Sequence, residues 1–428
     1  MTEPVYNDAN PVAKWEKAKS TFAHNMSLPV HSWFRFPAGF SASWVERLVR
    51  ERKDMLDDLA FLDPFAGVGT AVLAAERAGV KAYGIEAQPF IAKIAQAKLL
   101  WHTNIYSFLD HAQAVLRSAK SFTVQDLLYP PLIQKCYTED AIRQLYALRF
   151  AWEEMDDGSA PSRLTWLAIV NILRASSFVG TAPWQYVLPR KSKKKVASPY
   201  EAFLDQIHKM ASDMAQLQAE GIRHDGEVLV GDARTCRGIG DSTIGLVITS
   251  PPYLNNFDYA DATRLEMTFF GEVESWRDLH ERARKHLIHS CSQHVSIEKP
   301  DIEQLFDDLA DVPFSKELQA VYDQLAEERL KHGGKKNYHL MVAAYFADMK
   351  KVWSALRRVC VDGADVFFVV GDSAPYGVHV PVERWLGDLA LLAGFKSYTF
   401  EKIRSRNVKW KNRKHRVPLQ EGILWVKG

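Results

Sequence analysis

The chain has 428 residues, 47% hydrophobic and 25% charged, with a formal net charge of +2. It is an ordinary globular chain, large enough for one elaborated domain or two, and any nucleic-acid surface must come from local clustering of charge. The four cysteines, Cys136, Cys236, Cys291 and Cys360, are too scattered for a disulfide framework or a zinc spacing and fit a reducing cytoplasm. The opening MTEPVYNDAN is no signal peptide. The most apolar run, Leu164 to Val179, is broken by Asn171 and Arg174 and is too short to span a bilayer.

In chain order, a short helix is expected around Lys14 to Lys19. HSWFRFPAGFSASWVERLV, His31 to Val49, reads as an aromatic loop followed by an amphipathic helix with Ser41 or Ser43 as its cap. Leu59 to Asp63 (LAFLD) reads as a buried strand, PFAGVGT as a tight turn, AVLAAERAG as a helix ended by Gly79, and Lys81 to Glu86 (KAYGIE) as the next strand. In this β-α-β unit Gly67 and Gly69 let backbone approach a ligand. Glu86 stands close to the ~20 residues beyond Gly67 at which a carboxylate takes ribose hydroxyls. Alone, such a G-x-G also fits a structural turn.

There is no third glycine at the dinucleotide spacing and no G-K-[ST] for a triphosphate. Gly333-Gly334-Lys335 lacks the upstream glycine and strand of a P-loop. A ligand with a ribose but no phosphates fits best, and S-adenosylmethionine is one.

Residues 102–226 read as a mostly helical insertion. Its clearest helix starts at Ser198-Pro199-Tyr200-Glu201, a capping box with proline at the first helical position, and ends near Gly221. Lys191, Lys193 and Lys194, just before it, read equally well as phosphate contacts or as a solvated loop. Glu227 to Arg234 (EVLVGDAR) is a third strand ending in Asp232.

Ile244 to Ile248 is a short buried strand that enters TSPPYLNNFDY, Thr249 to Tyr259. Pro251 and Pro252 fix their own φ and push the preceding residues out of the helical region, which makes a stiff extended corner. The exocyclic amine of cytosine or adenine is a poor nucleophile, because its lone pair is delocalised into the ring. Ser250 Oγ and the Pro251 carbonyl could take the two amine hydrogens, and Tyr253 offers a face for a stacked base. By itself the corner also fits a proline-rich loop. A helical pattern follows, Ala260 to Phe270.

Residues 272–336 read as a second insertion, polar and helical, with an acidic patch at Asp301 to Asp311. After it come a long helix from Asn337, a buried strand Ala364 to Asp372, another helix, and strands around Phe395 to Ile403 and Gly422 to Val426. Between the last two lies the densest basic stretch, KIRSRNVKWKNRKHR. In it Lys409, Lys411, Arg413 and Lys414 are candidate phosphate contacts, with Trp410 packing on sugar or base; a solvated hairpin tip is the other reading. No cysteine follows a strand in a Pro-Cys or Thr-Cys loop, so carbon methylation through a thiolate is not expected. No His/Asp/Glu set shows metal spacing, and no nuclease constellation is visible.

DPFAGVGT, GIE and TSPPY together resemble the cofactor and catalytic motifs of the DNA amino-methyltransferases, and HSWFRFPAGFSASWVERLV is similar to that family's additional cofactor motif. The resemblance covers roughly 31–101, 227–271 and 337–428. It implies an α/β fold, the class I methyltransferase Rossmann-like seven-stranded sheet in unpermuted motif order, with two largely helical insertions. The methyltransferase domain would be divided into 1–101, 227–271 and 337–428, and insertions 102–226 and 272–336 are both candidates for target recognition.

The resemblance further implies S-adenosylmethionine as cofactor. It would be held by His31, Phe36 and Pro37, by Asp63, Phe65, Gly67, Gly69 and Thr70, by Glu86 on the ribose, by Asp232 at the adenine edge and by Ser250. A turn aspartate is as good a reading of Asp232. Ser250, Pro251, Pro252 and Tyr253 would meet a base flipped out of double-stranded DNA. The serine leans towards N4 of cytosine, with N6 of adenine the alternative and an RNA amine a more distant one. A cognate restriction or defence system is admitted. Oligomeric state is left open.

Overall fold

A computed structural model describes residues 22–36, 39–56, 59–122, 128–181, 187–193, 195–222, 224–406 and 417–428, with backbone alone at 22, 23, 181 and 187–191. Its strands are β1 (Ala60–Asp63), β2 (Ala82–Glu86), β3 (Val179–Thr181), β4 (Val187–Ser192), β5 (Gly226–Val230), β6 (Ile244–Thr249), β7 (Cys360–Gly371), β8 (Ser397–Arg406) and β9 (Leu419–Lys427). Seven of them form one sheet in the order β5-β2-β1-β6-β7-β9-β8. The β5, β2, β1, β6 and β7 pairings are parallel. β9 runs antiparallel to both β7 and β8, so β8 again points the same way as β1.

Alternation along the strands splits the core into two layers. Phe61, Phe367, Val369 and Ile423 face one layer, with the helices Ala42–Glu51, Thr70–Arg77 and Pro89–Lys98. Leu62, Val366, Phe368 and Leu424 face the other, with the helices Tyr338–Val359 and Val382–Leu392. Helices of the first insertion, Ile105–Ser121, Glu139–Met155, Ala160–Ser176 and Pro199–Ala219, extend the first layer, as does Trp276–Arg282 of the second, whose helices Ser292–Glu298 and Ser315–Lys331 cover the other. This is the Rossmann-like sheet of the class I methyltransferases, with the glycine-turn strands β1 and β2 first in the chain and β6 after them.

The local reading meets several adjustments. Ser41 is the cap of Ala42–Glu51, accepting from Trp44 N. Pro199 does start its helix, but the capping box does not form. The Ser198 hydroxyl instead lies against Gln144 Oε1 of a neighbouring helix (3.4 Å). The apolar run Leu164 to Val179 is the end of one helix and the start of β3, and β3 and β4 make an antiparallel pair inside the first insertion. The helix expected from Ala260 begins at Arg264, after a 3-10 turn at Asp261–Thr263. Lys14 to Lys19 lie outside the described residues. No helix among the described residues is long and apolar enough to cross a membrane.

Candidate active site

β1 and β6 are neighbours in the sheet, while the chain connects β1 onward to β2 on its other side. At such a switch point the loops leaving two adjacent strands diverge and open a crevice beyond their carboxyl ends. Asp63 ends β1 and Thr249 ends β6, and Thr249 Oγ1 donates to Asp63 Oδ1 across the gap (2.6 Å). A solvent-connected cleft opens there.

The glycine turn shapes its floor. Gly69, at φ +79°, is the residue before the helix Thr70–Arg77, a left-handed conformation that a side chain would strain. Gly67 N–H donates to Glu86 Oε2 (2.9 Å) and Gln88 N–H to Glu86 Oε1 (2.8 Å). Each carboxylate oxygen therefore spends one acceptor site on backbone and keeps capacity for a ligand hydroxyl. Burial pushes the Glu86 carboxyl up to about 7, against the pull of the Gln88 and Gly67 hydrogen bonds, with Asp63 adding to the rise. Burial likewise lifts Asp63 to about 7, opposed by its hydrogen bonds from Thr249 and Phe65. Two carboxyl groups held near neutrality in one cleft favour a ligand bringing positive charge and hydroxyl donors. S-adenosylmethionine has both, and the donor set fits it.

Of the residues named from sequence, Phe36, Asp63, Phe65, Gly67, Thr70, Glu86, Asp232, Ser250 and Pro252 line this cleft together. Asp232 also serves its own turn, accepting from Arg234 N (2.8 Å) and from Arg234 Nε (2.9 Å), so both readings of it hold in part. His31 does not line the cleft. Its turn is bonded to the first insertion, through Val30 N and Trp33 Nε1 to Asp213 Oδ2 (3.0 and 2.8 Å), which carries the imidazole into buried packing beside Lys98. Pro37 lies outside the described residues.

The corner after β6 is pinned from several sides. Ser250 Oγ donates to the Val369 carbonyl of β7 (3.2 Å), and Tyr253 N–H donates to Tyr259 Oη (3.1 Å). Further along, Asp258 pairs with Arg284 in a buried ion pair (2.6 Å), and Asn256 Oδ1 accepts from Ser292 N (2.8 Å). Pro251 and Tyr253 do not line the cleft; Tyr253 is half-buried, its side chain contacts Ser250, and burial raises its hydroxyl well above its ordinary value. The Arg406 guanidinium, at the end of β8, lies over the Tyr253 ring at 5.6 Å from its centroid. It also rests on Gly371, where a β-carbon would collide with Nη1. One face of Tyr253 is thus taken by a cation from the edge of the basic stretch.

A family model described as DNA methylase, for N6/N4 methyltransferases, matches residues 4–97. The Type II methyltransferase M.BsoBI of Geobacillus stearothermophilus is 23% identical over 448 residues, covering 95% of this chain and 87% of its own length. The Type II methyltransferases M.AvaI of Nostoc sp. and of Anabaena variabilis are each 25% identical over 419 residues, covering 88% of this chain and 81% of their own. These matches support a reading of the chain as a DNA amino-methyltransferase family member. No solved structure matches it.

Within the family frame, reasoning from sequence missed Gln88, Phe40, Tyr259 and the cleft wall His286–Ile288, all of which face the same cleft. Tyr259 was in plain view in the catalytic stretch; the others carry no local signal. None of the cysteines lines the cleft, and burial pushes the thiols of Cys136, Cys236, Cys291 and Cys360 upward, away from nucleophilic use. On the proposed DNA side, Lys193 Nζ donates to the Arg174 carbonyl at a helix end, so this ammonium has a structural partner. The Lys191 side chain, Lys194, Lys409, Trp410, Lys411, Arg413 and Lys414 lie outside the described residues. The expectation that no His/Asp/Glu set has metal spacing needs correcting. The fold brings donor atoms of His289, His294 and Glu298 within 4.8 Å of one another, and His294 and Glu298 already stand one helical turn apart in sequence.

Proposed function

We propose that this chain transfers a methyl group from S-adenosylmethionine to an exocyclic base amine in a specific sequence of double-stranded DNA, with N4 of cytosine the favoured target. The observation that carries the reading is the shared cleft. Ser250 of the proline corner lines the same crevice as Asp63 and Glu86. S-adenosylmethionine, when bound, supplies an electrophilic methyl group on a sulfonium. Glu86 would hold the ribose, and the carboxylate of Asp63 would lie towards the positive end.

Ser250 Oγ donates its hydrogen bond to the Val369 carbonyl, which leaves acceptor capacity on its oxygen for an amine hydrogen. The Pro251 carbonyl, held extended by Pro252, is the second acceptor. Two placed acceptors turn the nitrogen towards tetrahedral geometry and free its lone pair for direct transfer. A base inside a duplex must be flipped out to reach them. The relatives' description as Type II methyltransferases supports a DNA substrate and admits a restriction partner for this chain. The N4 preference rests on serine at the first position of the corner. The test is methylation of duplex DNA and of RNA by purified protein, followed by nucleoside mass spectrometry. N4-methylcytosine in DNA is expected; N6-methyladenine would keep the class and overturn the base, and product only in RNA would overturn the substrate.

A further inference from the structure

His289, His294 and Glu298 meet on the side of the second insertion that faces the sheet domain. His289 Nε2 lies 2.8 Å from Glu298 Oε2, and His294 Nε2 lies 3.0 Å from Glu298 Oε1. His280, from the helix Trp276–Arg282, brings its Nε2 to 4.0 Å from the same carboxylate. We propose that these four side chains form a site for one divalent transition-metal ion of the zinc class, which locks the wall His286–Ile288 of the active-site cleft in place.

The donor chemistry supports it. Three imidazoles and one carboxylate are a nitrogen-rich set that suits zinc, and hard cations such as magnesium prefer all-oxygen shells. Zinc–ligand bonds of about 2.0–2.1 Å in a tetrahedron put neighbouring donors ~3.3 Å apart. The His289 and His294 contacts need to open by only a few tenths of an ångström, and His280 must move in by about 0.7 Å from its present 4.0 Å. The ligand shell is also preorganised. A metal-binding histidine commonly gives its other ring N–H to a carboxylate, which fixes the tautomer. Here His289 Nδ1 lies 2.7 Å from Asp348 Oδ2, and His289 N–H donates to the same oxygen (3.1 Å). His280, only 7% exposed, has a buried Nδ1 with no partner, so hydrogen bonding does not explain why this ring is held inside.

Charge balance points the same way. Asp348 Oδ1 accepts from Arg234 Nη1 (3.0 Å), and Arg234 in turn grips Asp232 (2.9 Å). Glu298, Asp348 and Asp232 set three carboxylates around that one guanidinium and the cluster's imidazoles, a negative surround in which a divalent cation can take the place of a proton on the rings. Position supplies the consequence. His286, Leu287 and Ile288, which line the cleft, lie in the chain between His280 and His289, so a metal bonded to both would clamp that wall from either end. The site is independent of what the cleft binds.

The test uses full-length protein purified without a metal-affinity tag. Elemental analysis by plasma mass spectrometry should find about one zinc per chain. After chelation, calorimetric titration with zinc chloride should return a single site and raise the unfolding temperature. His294→Ala should weaken that binding at least a hundredfold. Asp348→Asn, which removes no ligand and serves if His294→Ala does not fold, should weaken it about ten- to a hundredfold. His208→Ala, on an exposed helix face elsewhere, should leave it unchanged. A wild-type protein that neither retains nor takes up zinc stoichiometrically, or zinc uptake undiminished in both His294→Ala and Asp348→Asn, would overturn the proposal and leave the cluster as an ion-pair network.

Discussion

Asp63 and Glu86 are carboxyl groups whose solvation is taken away before their ligand arrives. Their folded pKa values, about 7 for each, stand above the ordinary 3.8 and 4.5. Folding therefore retains protons that the unfolded chain releases, and the linked stability is fully present below about pH 4 and is lost as pH rises through about 7. Ligand-free protein should show an unfolding temperature that falls across this window, with a shallower slope in Glu86→Gln. With the ribose hydroxyls on ionised Glu86 as proposed, binding of S-adenosylhomocysteine should tighten by roughly tenfold from pH 6 to pH 8, as one pKa unit allows. Flat calorimetric affinity over that range would place the ribose elsewhere.

At the corner, Ser250→Ala removes one acceptor and should lower turnover by roughly ten- to a hundredfold, about the ~1.5–3 kcal/mol of a charge-assisted hydrogen bond. Tyr253→Ala should act in the same direction, and both should bind cofactor nearly as the wild type does. Because Arg406 covers one Tyr253 face, a base stacking on this ring must use the other face or displace the guanidinium. Full activity in Tyr253→Ala would remove the base from this position.

Among the elements, the helix Arg264–Phe269 behind the corner is held by a buried ion pair from the first insertion. Arg174 Nε meets Glu266 Oε1 at 2.5 Å, its Nη2 reaches the Ala262 carbonyl (2.8 Å), and Glu266 is wholly inaccessible to solvent. Removing one partner of such a pair strands the other charge. Arg174→Met should cost about 3–5 kcal/mol in denaturant unfolding, and adding Glu266→Leu should recover most of it. If the single variant unfolds with the wild type, the helix is held by apolar packing alone.

For the whole molecule, strand direction decides where the basic stretch goes. β8 is parallel to β1 and β6 through the antiparallel β9, so the segment leaving Arg406 starts at the edge of the sheet where Ser250 stands. With Lys409, Lys411 and Arg413 all on phosphates, the triple alanine variant should flatten log K against log[salt] by roughly 2 to 3 units. Its affinity should fall equally for cognate and scrambled duplexes, because backbone contacts do not read sequence. A wild-type slope would take this stretch off the DNA surface.

What could be read from the chain alone was whatever the chemistry packs into a few consecutive residues. The β-α-β unit, the glycine turn, the carboxylate of Glu86 and the proline corner depend on neighbours in sequence and on the periodicity of buried faces, which tertiary contacts did not override. The sheet's membership was legible for the same reason, since most of its strands carry a short apolar run between turns. Only the tertiary structure decided how those pieces meet. Thr249 bridging to Asp63, Arg406 over Tyr253, Arg174 against Glu266 and His289 between Glu298 and Asp348 join residues from different elements, and their pairing depends on how the sheet and its two insertions dock. Local pattern carries no trace of that docking. The burial that shifts Asp63 and Glu86, and the removal of His31 from the cleft, are its consequences: desolvation and access are set by what packs over a side chain, and what packs over it comes from far along the chain.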